Sequence, residues 1–285
     1  MKIGFIGQGW IGKNYADDFE KRGMDVVRYA LEEPYNRNGS QIGECDIVFI
    51  AVPTPTTPEG FQDATLKSVL QLVGKGKTAV IKCTVLPGRT KEYQNQFPDI
   101  IVLHSPEFLS EATAAHDASN PAQNIIGLPE DTAVHRKSAE AVMNILPKSV
   151  HSLICSSTES EFFKYVHNTL LYTKVVYVNM LYDAARALDV DWAAIKQAAL
   201  ADPMIAPYHL DPLHKKGRGA GGHCHIKDFE AFSRLYHSIV GDTLGEQVLQ
   251  SLKKKNLDLL MRSGKDFDLL KGVYGDAIAN FNAKS

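Results

Sequence analysis

The chain has 285 residues, enough for two domains of ordinary size, and 44% of them are hydrophobic, enough to bury a real core. Its 31 basic and 33 acidic side chains leave a net charge of -2, with no basic footprint for nucleic acid. No apolar run approaches the roughly 18 to 20 residues that span a bilayer, the N-terminus lacks the layout of a signal peptide, and four cysteines without paired spacing (Cys45, Cys83, Cys155, Cys224) point to a reducing, cytoplasmic setting.

In chain order, Lys2–Ile6 is a predicted strand, Gly12–Arg22 a helix entered through glycines, and Asp25–Tyr29 a second strand. Asp46–Val52, Thr78–Lys82, Ile100–Leu103 and Asn124–Gly127 follow as nearly continuous apolar strands, with helical spacing over Leu66–Val73 and Asp131–Ile145. Such runs suit a parallel sheet covered on both faces, and their alternation with helices predicts a doubly wound, Rossmann-type α/β domain. From Ser157 to about Leu200 the pattern is helical, with Phe162, Tyr165, Val166, Thr169 and Leu170 forming a largely apolar stripe. A glycine-rich segment runs from Gly217 to Gly222, and helical patterns resume at Asp228. The expected organisation is a dinucleotide-binding domain over 1–157 and an all-helical domain over 158–285.

The sequence Gly7-Gln8-Gly9-Trp10-Ile11-Gly12 lies between a strand and a helix. Its glycines permit a tight turn, backbone approach to a pyrophosphate, and close packing of helix on strand, and the helix N-terminus offers free N–H donors. The acidic residue that usually ends the second strand and holds the ribose is replaced by Ala30. Glu32 or Glu33 stands slightly further on, and Arg28 raises the option of a 2′-phosphate. The expected cofactor is NAD.

Five further segments carry polar chemistry. Val52-Pro53-Thr54-Pro55 and Cys83-Thr84-Val85-Leu86-Pro87-Gly88 each follow a strand, where α/β domains bind ligands, and each alone is also an ordinary stiff turn. In Ser105-Pro106-Glu107-Phe108-Leu109-Ser110-Glu111 the two carboxylates share a face if the segment is helical, and suit acid/base work, ribose binding or a solvated helix start. In Glu161…Lys164…Asn168 an ammonium and an amide on one helix face could hold an oxyanion, unless Lys164 simply pairs with Glu161 at the surface. In Gly217-Arg218-Gly219-Ala220-Gly221-Gly222-His223-Cys224-His225-Ile226-Lys227-Asp228 the glycines let backbone approach a ligand, and Cys224 falls at a predicted helix N-terminus, a position that favours thiolate. Three successive residues seldom converge on one zinc, so no metal is expected at His223-Cys224-His225.

Taken in order, these motifs resemble the UDP-glucose/GDP-mannose dehydrogenase family, from Met1 to about Asn256. The resemblance implies a two-step, four-electron oxidation of a nucleotide-sugar alcohol, UDP-glucose by default, to the uronic acid used in polysaccharide biosynthesis. It implies Cys224 as the nucleophile, Lys164 and Asn168 as oxyanion stabilisers, Asp228 as the group that orders water, Glu107 as the base for thioester hydrolysis, and Thr84 as a water-ordering residue on the nicotinamide side. It places Gly7, Gln8, Gly9, Trp10, Ile11, Gly12, Val52, Pro53, Thr54, Thr84, Glu111 and Lys227 on the cofactor. It places Glu107, Phe108, Leu109, Lys164, Asn168, Gly217, Gly219, Gly221 and Gly222 on the substrate. It also implies a homodimer paired through the long central helix, while the charge balance and the lack of a long apolar run leave no nucleic-acid or membrane partner expected.

The departures concern recognition. The family's third, C-terminal nucleotide-gripping domain is expected to be absent, and the stretch from Ala30 to Cys45 is short. Met204 stands where the family's D-x-R-I segment has a substrate-holding arginine, and Ile226 where it has proline. The same chemistry on an alcohol without UDP, a non-catalytic NAD-binding relative, and a one-step hydroxyacid dehydrogenase are the rival readings.

Overall fold

Aliphatic runs flanked by turn residues collapse into strands when both faces can be covered. In the computed structural model, which describes residues 1–215 and 217–278, they do so in one seven-stranded sheet. The chain divides into two compact units: Met1–Thr54 with Gln62–Lys164, and Pro55–Phe61 with the chain from Tyr165 onward.

The elements run β1 (Lys2–Ile6), α1 (Trp10–Lys21), β2 (Asp25–Tyr29), α2 (Gly39–Ile42), β3 (Ile47–Ile50), β4 (Thr56–Thr57), β5 (Gly60–Phe61), α3 (Ala64–Leu70), β6 (Thr78–Ile81), α4 (Arg89–Gln96), β7 (Ile101–His104), α5 (Ala114–Ser119), β8 (Gln123–Leu128), α6 (Ala133–Ile145) and β9 (His151–Ser156). There follow α7 (Ser157–Ala187), α8 (Trp192–Ala201), α9 (Gly222–Ile239), α10 (Thr243–Arg262), α11 (Phe267–Tyr274) and a short 3₁₀ turn, Gly275–Ile278.

In the first unit the sheet order is β2-β1-β3-β6-β7-β8-β9. The pairings are parallel except β7 with β8, which meet antiparallel at His104 and Gly127. The fully parallel sheet expected from the sequence is therefore mixed. The central strands β3 and β6 are buried at every residue, which is why they read as unbroken apolar runs. Phe5, Phe19 and Phe49 interlock beside them, Phe5 stacked on Phe49 at 5.0 Å and each meeting Phe19 edge-on. The sequence pattern did not show β9, because its residues are mostly exposed or half-buried and are held by their ladder to β8.

The order reverses between β1 and β3, so the connections leaving them open a crevice at the carboxyl ends of these strands. Gly7 ends β1 at φ +88°, and a Cβ there would lie 2.3 Å from the Ala51 carbonyl oxygen. Only glycine allows the two strand ends this approach.

The second unit is helical apart from one hairpin. Ile226, Leu257, Leu260, Leu270 and Val273 form a core among α9, α10 and α11. The Tyr172 ring of α7 stacks on Phe229 of α9 at 3.8 Å. The β4–β5 hairpin, contributed by residues far earlier in the chain, is held by the Arg234 guanidinium, which donates to the Thr57 carbonyl at 2.8 Å. Among the described residues, no helix is long and apolar enough to cross a membrane.

Candidate active site

At the crevice of the first unit, α1 begins at Trp10 behind Gly9, with no side-chain cap and no acidic residue in its first turn. Its leading N–H groups are left for a ligand, and the helix dipole favours an anion there. A Cβ on Gly9 would meet nothing within 4 Å, whereas one on Gly12 would lie 1.8 Å from the Gly7 carbonyl oxygen. Gly9 thus borders open space and Gly12 packs helix on strand. This cradle fits the pyrophosphate of NAD. Gln8 lies beside it with its amide on the Phe5 and Gly7 carbonyls, and Trp10 is exposed.

Arg28 is not available for a 2′-phosphate. Its guanidinium forks onto Glu20 at 2.8 Å, meets Asp17 at 2.6 Å and reaches Gln8 Oε1 at 3.3 Å. Ala30 is buried, and Glu32 and Glu33 are exposed.

Beyond β3, Val52 and Thr54 are buried and Pro53 is exposed. The Thr54 hydroxyl donates to the Thr84 carbonyl at 2.7 Å, tying the turn after β3 to the one after β6. That second turn is capped from a distance. Both Glu161 oxygens accept at the start of α4, from Gly88 N at 2.6 Å and Thr90 N at 2.7 Å. Burial pushes the Glu161 carboxyl up to about 7 against the pull of those bonds.

The alternative surface pair of Lys164 with Glu161 does not form. Lys164 is buried, and its Nζ donates to the Glu107 carbonyl at 2.5 Å and lies 3.2 Å from Glu107 Oε1. It also sits over the Phe108 ring, 5.1 Å from the centroid, and Phe108 meets Phe163 edge-on. The segment 105–110 is not helical, so Glu107 and Glu111 do not share a helix face. Glu107 is buried and accepts from Leu109 N at 2.9 Å, while Glu111 is exposed in the following turn.

Two buried groups beside Glu107 were missed from the sequence. Lys82, directly after β6, has its Nζ 3.1 Å from Ser105 Oγ. Burial pushes this ammonium down to about 8. His104 meets Ser160 Oγ at 2.7 Å, and burial pushes its ring down to about 3, keeping it neutral. A lysine closing an otherwise apolar strand was the available signal for Lys82.

In the second unit, Cys224 is exposed in the first turn of α9, a helix with no side-chain cap at Gly221 and no acidic residue in that turn. One turn further, Asp228 is 1% exposed and both its oxygens are engaged. Oδ2 accepts from Asn168 Nδ2 at 2.5 Å, and Oδ1 pairs with Lys227 Nζ at 2.5 Å. The glycines before Cys224 differ from one another. A Cβ on Gly217 would lie 2.8 Å from Lys265, one on Gly219 3.0 Å from Asn256, and one on Gly221 1.9 Å from Asp266, whereas Gly222 at φ +79° borders open space. The first three are required by packing within the chain. Gly222 N donates to Asp266 Oδ2 at 2.7 Å.

Residues 35–146 match the NAD-binding domain of the UDP-glucose/GDP-mannose dehydrogenase family, and residues 158–256 match its central domain. Among curated relatives, the UDP-glucose 6-dehydrogenase of Streptococcus pneumoniae is 25% identical over 294 residues, covering 90% of this chain and 73% of its own length. That of Rickettsia conorii is 27% identical over 233 residues, covering 77% of this chain and 50% of its own length. The chain thus spans about half to three quarters of these relatives. In fold it is similar to the UDP-glucose dehydrogenase of Pyrobaculum islandicum, with a TM-score of 0.76 at 22% identity over 92% of this chain and 70% of that one. With both domains matched in order over most of its length, the chain belongs to the UDP-glucose/GDP-mannose dehydrogenase family.

Proposed function

We propose that the chain oxidises the primary alcohol of a nucleotide sugar to a carboxylate in two steps, with UDP-glucose as the default substrate. The observation that carries the reading is Cys224, exposed in the first turn of α9 one turn before the buried Asn168–Asp228–Lys227 network. A one-step alcohol dehydrogenase needs no nucleophile there.

Bound NAD would be held by Gly7–Gly12 and by the turns at Val52–Thr54 and Thr84, with Glu111 and Lys227 further along, and would accept the hydride removed at each oxidation. The Cys224 thiolate adds to the aldehyde carbon and forms a thiohemiacetal, whose oxygen takes up negative charge that Lys164 and Asn168 stabilise. Loss of the second hydride leaves a thioester. Glu107 takes a proton from water, the water oxygen attacks the thioester carbon, and the Cys224 thiolate departs from the carboxylic acid. Asp228 holds Asn168 in place and orders the water, as does Thr84. Phe108, Leu109 and the backbone from Gly217 to Gly222 shape the sugar side. A reducing, cytoplasmic compartment suits a reaction that needs a free thiolate.

A second reading, the same chemistry on an alcohol without UDP, is favoured by Met204, which is 89% exposed where the resemblance places the substrate-holding arginine. The deciding experiment follows NADH and acid from UDP-glucose and from a panel of other sugars and nucleotide sugars. Two NADH per acid, lost in Cys224→Ala, is the expected result. One NADH per turnover, or full activity in Cys224→Ala, would sink the reading.

A further inference from the structure

Lys82 has no task in the reaction above, yet an ammonium is costly to bury. It is 3% exposed, with Nζ 3.1 Å from Ser105 Oγ and 3.4 Å from the Ser105 carbonyl oxygen. The Tyr15 ring of α1 lies 4.3 Å from Nζ and the Phe49 ring of β3 6.0 Å. An apolar side chain of similar length would fill such a place without the desolvation cost. The positive charge therefore calls for a reason, and its electrostatic neighbours supply one. The Glu107 carboxylate favours the protonated amine and the Lys164 ammonium opposes it.

The titratable groups facing Lys82 are Tyr15 from α1, His104 and Glu107 from β7 and the loop after it, and Lys164 from α7. Burial pushes the Tyr15 hydroxyl up and the His104 ring down, so both are neutral near pH 7. Two ammonium groups then share one carboxylate. That surplus of positive charge suits a place where an oxyanion develops and a carboxylate must stay in position.

We propose that Lys82 is a positioning residue for Glu107: its ammonium pins Ser105, and with it the loop that carries Glu107, and it gives that carboxylate a second positive charge beside Lys164. The inference rests on the reading of Glu107 as a working carboxylate, but the charge coupling it requires is measurable without turnover.

The first measurement follows the lysine ε-carbons by 13C NMR across pH, with the Lys82 resonance assigned through Lys82→Arg. In the wild-type chain Lys82 is expected to titrate near 8, away from the ordinary lysine value of 10.5, and lower still in Glu107→Gln. A Lys82 midpoint among the exposed lysines, or one unmoved in Glu107→Gln, overturns the proposal. The second measurement is kcat against pH with UDP-glucose and NAD. Lys82→Met is expected to lose roughly tenfold in kcat with little change in KM for NAD. Lys82→Arg, which stays charged, is expected to restore kcat and to lack the wild-type decline as pH rises through about 8. Wild-type kcat in Lys82→Met, or the same decline in Lys82→Arg, overturns it. If the NMR coupling is present while no nucleotide sugar is turned over, the positioning stands and the reading of the reaction falls.

Discussion

Burying a carboxyl group as deeply as that of Asp228 is costly unless each oxygen meets a donor. Here the donors are Asn168 and Lys227, one of them 60 residues away. Asp228→Ala strands the Asn168 amide and the Lys227 ammonium together. Urea unfolding is therefore expected to show a loss of about 3 kcal/mol, in the range for breaking a buried pair. A loss under about 0.5 kcal/mol, the size of a surface change, would mean that water already serves these groups. Gly12 makes the same argument for backbone. A methyl group 1.8 Å from the Gly7 carbonyl cannot be accommodated, so Gly12→Ala is expected to abolish NAD binding by calorimetry and to lower the urea midpoint. At this scale the sequence shows which residues are candidates and hides their partners. Local spacing pairs Lys164 with Glu161, three residues away. Burial instead pairs Lys164 with Glu107 and turns Glu161 onto the start of α4. Helical periodicity reports neighbours on one helix and is silent about contacts 57 or 71 residues apart.

At the scale of elements, Glu161 is the cap that α4 lacks in its own sequence, because Gly88 offers no side chain. Its folded carboxyl lies near 7 against an ordinary 4.5, so the folded state binds this proton more tightly than the unfolded one. The contribution to stability is then fully present below about 4.5 and is lost as pH rises through about 7. Glu161→Gln keeps an acceptor for one of the two N–H groups and removes the buried charge. Its stability relative to wild type is expected to improve between pH 5 and pH 8, read as the difference between their melting temperatures. A difference that does not change with pH would mean the carboxylate is charged throughout. The same scale shows what pattern can and cannot reveal. Buried strands such as β3 and β6 announce themselves by continuous aliphatic runs. The polar β9 does not, and the loop after β7 reads as a helix start. That loop stays irregular because the Glu107 side chain accepts from Leu109 N, a local bond that competes with helix formation.

For the whole molecule, the alternation of strands and helices made the Rossmann-type unit legible. The grouping of Pro55–Phe61 with the later helices was not, since a two-residue strand pair carries no periodicity. Among the described residues, part of α7 presents an exposed apolar face. Leu170, Tyr177 and Leu181 are spaced by seven and four residues, so they share one face of α7, and each is exposed, Leu170 at 64% and Tyr177 at 57%. Leu188, at the end of that face, is 74% exposed. From Leu170 to Leu181 the stripe runs roughly 16 Å at the usual helical rise, an apolar surface left in water. We propose that it pairs with the same stripe of a second copy, since a two-fold axis makes one face its own complement. Sedimentation is expected to give a dimer of the 31.4 kDa chain. Leu170→Glu with Tyr177→Glu is expected to give a monomer with unchanged helix content, because both side chains point away from the unit's core. A wild-type monomer at micromolar concentration, or a double variant that still dimerises, would move the contact off this face.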